Sequence, residues 1–210
     1  MSSEPRQSPT RQQRDQKLSD LADIFMGATL SHYSKSPLED APKAKLITAN
    51  AIAEQLDLLS DELLPVWLKK SDISRFIVCA GDVVLSARGR IRAVVIGPQV
   101  ANQQLLPGAN LVVIRPREPG LNSCFLAELF NSGESLRQMG LVVGSRIPSL
   151  RASDLKRLTV PSLSKTQQQA VVELARARTD AVDATMALAE QQYKTASQLI
   201  FDLIWDGSDT

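Results

Sequence analysis

The stretch GSRIPSLRASDLKRLTVPSLSKTQQQAVVELARARTDAV, residues 144–182, contains the transition that decides the fold. It begins with a Gly-Ser-Arg-Ile-Pro loop and ends inside a segment that has no glycine or proline from Ser162 to Asp206. Ser164 is followed three residues later by Gln167, the spacing of a capping box that satisfies free N–H groups of a first helical turn. The sequence therefore predicts a helix that is capped by Ser164 and extends over Lys165–Asp206, about 63 Å long at 1.5 Å per residue.

Apolar residues recur along the predicted helix at spacings of three or four, with one interruption at Arg178. A solitary helix would leave this face in water, so another helix is needed to cover it. No second long helical pattern exists in the sequence, and we expect an antiparallel coiled coil with another chain, most simply a second copy in a homodimer. This apolar seam consists of Val171, Leu174, Val182, Met186, Ala189, Tyr193, Ala196, Ile200 and Leu203.

The middle of the sequence is rich in β-branched residues, in runs separated by glycine and proline at short intervals, which is typical of antiparallel strands. Apolar residues then recur at helical spacing between Leu121 and Phe130, and a second short helix ends at Gly140. A helical turn is predicted from Leu18 to Gly27. The predicted strands are Leu46–Thr48, Ile73–Val78, Asp82–Ala87, Arg90–Gly97 and Asn110–Pro116.

These patterns predict an α/β (α+β) fold, with a small β-rich domain containing short helices and one long C-terminal helix. We expect a disordered lead-in over residues 1–16, the domain over 17–163, the helix over 164–206 and a tail over 207–210. A chain of 210 residues suffices for one sizeable core. Cys79 and Cys124 lie in apolar sequence without CxxC spacing, so we expect two buried free thiols.

Several functional classes leave no trace in the sequence. No apolar run approaches the roughly 18–20 residues of a membrane span, and the polar N-terminus is no secretory signal, so we expect a cytoplasmic protein without membrane contact. Phosphate-binding loops, a nucleophile elbow and metal-ligand clusters are absent, and His32 is the only histidine. We therefore predict no catalytic residues, no metal and no cofactor, and an enzyme is the weaker class.

The basic residues are concentrated in the middle of the chain and are mostly arginine. Arginine outnumbers lysine nine to one from Arg88 to Arg157, whereas residues after Leu163 include seven acids against four bases. Arginine binds phosphates and guanine edges with a bidentate fork, so this distribution favours a polyanionic partner, such as a nucleic acid. Glutamine amides can pair with adenine. The candidate DNA contacts are Arg88, Arg90, Arg92, Gln103, Gln104, Arg146 and Arg151.

The order of these pieces resembles the specificity subunit of Type I restriction–modification systems. Five segments carry the resemblance: LSDLADIFMG, GDVVLSARGRIRAVVIG, NQQLLPGANLVVIRP, GSRIPSLRASDLKRLTVPSL and SKTQQQAVVEL. The resemblance implies a non-catalytic DNA-reading subunit of a defence complex, whose methyltransferase and restriction partners bring S-adenosylmethionine and the chemistry. Such subunits usually contain two recognition domains and two conserved helices. This sequence contains one of each, which implies a half-subunit that reads a bipartite target as a head-to-tail dimer.

Two other readings remain open at this stage. A coiled-coil adaptor or regulatory subunit of a defence complex would keep the fold without reading DNA, but it would not need the arginine excess. A nuclease or methylase acting alone would need catalytic motifs that the sequence lacks. A salt titration of DNA binding distinguishes a DNA-reading subunit from a coiled-coil adaptor, because phosphate contacts make binding weaken steeply with salt.

Overall fold

The computed structural model describes residues 15–52, 58–69, 71–86, 88–117, 120–141 and 149–205. The chain forms two compact units, one extending to Gln169 and one beginning at Ala170. The predicted combination of β-sheets, short helices and one long C-terminal helix is confirmed. Three 3-10 turns, Ala49–Ala51, Ser60–Glu62 and Ser71–Phe76, connect strands in the first unit.

Within these described ranges the chain has six α-helices: α1 (Leu18–Leu21), α2 (Pro98–Ala101), α3 (Ser123–Asn131), α4 (Gly133–Gln138), α5 (Ala152–Arg157) and α6 (Lys165–Trp205). The same ranges hold ten strands: β1 (Gln16–Lys17), β2 (Ala22–Met26), β3 (Tyr33–Ser34), β4 (Lys43–Ile47), β5 (Leu64–Leu68), β6 (Val83–Ser86), β7 (Ala93–Val95), β8 (Leu105–Pro107), β9 (Leu111–Pro116) and β10 (Thr159–Val160).

The strands form two four-stranded sheets and one short pair. The first sheet has the order β2-β9-β6-β7 and is antiparallel throughout. The second has the order β3-β5-β4-β8, in which only β4 and β8 are parallel. The pair β1-β10 joins residues 16–17 to residues 159–160. Strand β6 and the first four residues of β9 are buried throughout, because α3 packs against β6 and β7 while the main core fills the interior.

The main core takes side chains from both four-stranded sheets. Val84 and Val113 of the first sheet share this cluster with Ile47 and Leu105 of the second. At Gly27 the two sheets approach so closely that a Cβ atom would overlap the carbonyl oxygens of Gly108 and Pro107. Only glycine fits this junction, since any side chain would push the strands apart.

The N-terminus of α6 has the predicted capping box. Ser164 N donates to Gln167 Oε1 at 3.0 Å, and Gln167 N donates to Ser164 Oγ at 3.3 Å. The helix has 41 residues and is therefore about 61 Å long. None of the helices in the described ranges is long and apolar enough to cross a membrane.

Three local predictions were wrong. Residues Ser71–Phe76 form a 3-10 turn where a strand was expected from Ile73 to Val78, because tertiary packing buries the Ile73 side chain within this turn. The turn predicted from Leu18 ends at Leu21, and residues 22–26 instead alternate between faces of a strand. Cys79 is exposed and Cys124 only partly buried, although both are free thiols.

Candidate nucleic-acid interface

The loop between β6 and β7 presents two arginines to solvent. Ser86, which is buried, closes the loop: its Oγ donates to Arg90 O at 2.7 Å and accepts from Arg92 N at 2.9 Å. Gly89 lies in the left-handed region at φ +76°, with open space where a Cβ would be. The exposed Arg88 and Arg90 therefore flank a turn that a buried hydroxyl fixes to the sheet.

Arg92 differs from its two neighbours in the same loop. It is half-buried, and its Nη1 donates to Ile52 O at 2.9 Å, which ties the hairpin to the chain segment after β4. Arg90 and Arg92 both precede β7, so they do not share the strand face that the sequence pattern indicated. DNA contact by Arg92 stays a prediction. Its guanidinium group already donates a hydrogen bond to the carbonyl oxygen of Ile52.

Two other arginines of the basic middle serve the scaffold. Arg115 donates from Nε and Nη2 to Asp82 at 2.9 and 2.7 Å, and Asp82 is only 2% exposed. Hydrogen bonding to Asp82 raises the pKa of Arg115 above its ordinary value, although partial burial acts in the opposite direction. Arg117 pairs with Asp23 at 2.8 Å, where both side chains are largely exposed. Arginine count alone therefore overstates the basic surface available to DNA.

The two candidate glutamines lie between α2 and β8. Gln103 Oε1 accepts a hydrogen bond from Lys45 Nζ at 2.9 Å, and Lys45 N donates to Gln104 O at 3.1 Å. Gln104 is exposed and has a φ of +50°, which is uncommon for a residue other than glycine. Lys45 was not among the candidates that the sequence provided. The alternation Lys43-Ala44-Lys45 could have indicated it, because this pattern places both lysines on one exposed face of β4.

The remaining candidates lie further along the chain. Arg151 is exposed and precedes α5, where its backbone N donates to Asp154 Oδ2 at 3.0 Å. Arg146 lies outside the described residues. Arg137 and Arg157, which were not candidates, are also exposed; they pair with Glu134 and with the carbonyl of Ser153.

Solved structures of other proteins share the fold of this chain, although comparisons with family models and curated sequences find no match. Among solved structures, the HsdS subunit from Thermoanaerobacter tengcongensis superposes with a TM-score of 0.60 and 18% identity, over 95% of this chain and 46% of the other. The chain has the fold of a Type I specificity subunit.

Two further structures share this specificity-subunit fold. One, described as the structural basis of complex assembly and conformational transition of the type I R-M system, has a TM-score of 0.62 and 20% identity, over 96% of this chain and 47% of the other. The Type-I restriction-modification system S subunit from M. genitalium has a TM-score of 0.52 and 15% identity, over 100% and 50%. The chain thus spans about half the length of these three chains.

The long helix of the specificity-subunit fold carries its apolar seam in solvent. Every residue from Arg176 to Trp205 is exposed except Asp202, which is half-buried. The side chains of Leu174, Tyr193 and Leu203 are 74%, 75% and 79% exposed. Four further large side chains of the seam, those of Val171, Val182, Met186 and Ile200, are between 36% and 63% exposed. Such an uncovered apolar face is typical of an interface with another helix.

Groups that could perform chemistry are sparse in the described ranges. There, no group of three or more His, Cys, Asp or Glu residues could hold a metal ion. His32 packs edge-on against Phe76 with ring centroids 4.8 Å apart, and its Nδ1 lies 3.2 Å from the N–H of Thr29. These contacts fix the histidine ring within a loop.

Proposed function

We propose that this chain is a non-catalytic subunit that reads DNA sequence for a restriction–modification or related phage-defence complex. The observation that carries the proposal is the specificity-subunit fold, which extends over 95% and 96% of the chain in two of the superpositions. In this proposal residues 17–163 are the recognition domain, and α6 is the spacer and pairing helix that the sequence predicts over residues 164–206. The proposal is also supported by the loop between β6 and β7, which carries the exposed Arg88 and Arg90.

The proposed DNA contacts centre on Arg88 and Arg90. Both are exposed, and the turn that carries them is fixed by buried Ser86, so little backbone conformational entropy is lost when they bind. Their guanidinium forks suit phosphate oxygens and the O6 and N7 atoms of guanine. Arg146 and Arg151 extend the proposal along the chain, whereas Arg115 and Arg117 are excluded because aspartates already bind them.

Partner subunits would supply the chemistry in this proposal. A methyltransferase subunit would carry S-adenosylmethionine and flip the target base, and restriction subunits would cleave. This chain would bind no cofactor and would place its partners on the sequence that it reads. Such complexes act on DNA in the cytoplasm, so the cytoplasm is the proposed location of this chain.

Helix α6 would set the distance between two recognition domains. In an antiparallel homodimer the domains lie at opposite ends of a rod about 61 Å long. Two inverted half-sites would then be read on either side of unread base pairs. The exposed seam supports a helical partner, because its leucines and isoleucine are otherwise left in water.

DNA binding by charge variants tests the proposal. We expect Arg88→Ala/Arg90→Ala to weaken duplex binding at least about tenfold and to make the log–log salt slope shallower by about 0.9 for each lost phosphate contact. Adding Arg146→Ala should weaken binding further. The control is Arg137→Ala/Arg157→Ala, which removes the same charge from α4 and α5. Equal losses in both double variants would place the DNA elsewhere, and a wild-type protein that binds no DNA with its partners would favour the adaptor reading.

A further inference from the structure

Lys45 and Gln103 form a contact that only the folded chain brings together, since 58 positions separate them. Lys45 lies on β4, which is hydrogen-bonded on one side to β5 and on the other to β8. Its Nζ is 2.9 Å from Gln103 Oε1. A glutamine amide has one acceptor atom, its oxygen, so that oxygen must face the ammonium group and the amide N–H groups point elsewhere.

The backbone holds this pair in register. Lys45 N donates to Gln104 O at 3.1 Å, and Gln103 N donates to Val100 O at 3.0 Å. Gln104, at φ +50°, turns the chain between α2 and β8 in a conformation that non-glycine residues seldom adopt. Lys45 is exposed and Gln103 is half-buried, so solvent can reach the pair, while hydrogen bonds hold the backbone of both residues in place.

The surroundings of the pair are suited to a polyanion. Lys43 is exposed on the same face of β4, two residues before Lys45. Neither adjacent strand contains an acid, since β5 reads LPVWL and β8 reads LLP. Trp67, directly across from Lys43 on β5, is only half-buried and adds a flat apolar surface to this face.

We propose that Lys45 and Gln103 together make a donor-only contact to DNA. The ammonium group keeps further N–H donors beyond the one used on Oε1, and the glutamine amide contributes its two N–H donors. Such a pair matches groups that only accept: the O6 and N7 atoms of guanine, or the oxygens of a phosphate. Adenine is the poorer match: Oε1 has a second lone pair, but accepting from adenine N6 would place that amino group beside the Lys45 ammonium, a second donor on the same oxygen. The pair therefore favours guanine or phosphate over the adenine contact expected from glutamine alone.

This inference rests on the proposed DNA-reading function and assigns the chemistry of one contact within it. Selection of bound duplexes from random DNA tests it with full-length protein and its methyltransferase partner. The variants are Gln103→Leu, Lys45→Met and Gln103→Glu. The last keeps a partner for Lys45 and replaces the amide donors by acceptors, so it should bind no better than Gln103→Leu. The matched controls are Gln99→Leu on α2 and Lys165→Met, which removes an exposed lysine from the first residue of α6.

A guanine contact predicts that one guanine position of the selected motif relaxes in Gln103→Leu and Lys45→Met, with discrimination falling about 5- to 150-fold. A phosphate contact predicts an unchanged motif, a uniform loss of affinity and a salt slope shallower by about 0.9 in Lys45→Met. Relaxation at an adenine or cytosine, or binding equal to wild type, would overturn the inference. A wild-type protein that binds no DNA overturns the proposed function as well, whereas normal wild-type binding with unaffected variants overturns this inference alone.

Discussion

Replacing Arg115 by methionine should destabilise the first unit much more than the same change at Arg117. Both arginines lie at the end of β9 and pair with an aspartate at 2.7–2.8 Å, but the aspartates differ in exposure: Asp82 is 2% exposed and Asp23 is 57% exposed. Without Arg115, Asp82 Oδ2 keeps only the hydrogen bond from Cys79 N at 2.8 Å among its described donors. Arg115→Met therefore leaves a buried carboxylate without its cation.

The expected cost follows from the burial of the two partners. Removing one partner of a fully buried ion pair costs about 3–5 kcal/mol. Arg115 is 31% exposed, so water already screens part of the attraction, and we expect about 2–3 kcal/mol. Arg117→Met breaks an exposed pair and should cost less than about 1 kcal/mol. In thermal unfolding, Arg115→Met corresponds to a drop of about 4–12 °C in Tm.

Urea unfolding of the wild type and both single variants measures these differences directly. The double variant Asp82→Asn/Arg115→Met removes the buried charge together with its partner, so it should be more stable than Arg115→Met alone. Equal destabilisation by Arg115→Met and Arg117→Met would refute the reasoning, and so would a double variant that is no more stable than Arg115→Met alone.

Three further outcomes are expected from the fold. Gly27→Ala should cost about 3 kcal/mol in urea unfolding, because a Cβ would overlap the Gly108 and Pro107 carbonyls, whereas Gly120→Ala, with open space at its Cβ, should cost little. Gln168→Leu should cost about 2–3 kcal/mol, since the buried Gln168 amide bonds Asn122 N, Gly120 O and Leu163 O at 2.7–2.9 Å; Gln191→Leu, on the exposed helix, is its control. Val182→Glu/Ile200→Glu should dissociate the proposed helix-paired dimer in light scattering without unfolding the first unit, because burying each such side chain contributes roughly 1.5–3 kcal/mol; a wild-type protein that is already monomeric at micromolar concentration would reject self-pairing.

Features that depend on neighbouring residues could be predicted from the sequence. The capping box spans three residues, and Ser164 and Gln167 form it as expected. The β-branched runs at β6 and β9 are strands because burial on both faces agrees with their local preference. Ile73 has the same preference but is buried from a 3-10 turn, since tertiary packing outweighs propensity there.

Contacts between distant parts of the chain could not be predicted in the same way. Residue type gives Arg115 and Arg117 the same positive charge as Arg88, and their pairing with Asp82 and Asp23 becomes apparent only in the folded chain. Lys45 became a candidate because its Nζ donates to Gln103 Oε1, and the parallel pairing of β4 and β8 brings these two residues together. The sequence indicated which kinds of side chain are candidates for DNA contact, while the fold determines which of these candidates are exposed.

Binding-site selection from random duplex DNA, with and without the methyltransferase partner, tests the central claim most directly. A subunit that reads DNA as an antiparallel dimer should enrich one recurring motif of two inverted half-sites, separated by a spacer of constant length in which no base is preferred. Phosphate contacts alone would retain DNA without enriching any sequence. A selected pool with no motif, both for the protein alone and for its complex with the partner, would contradict the account.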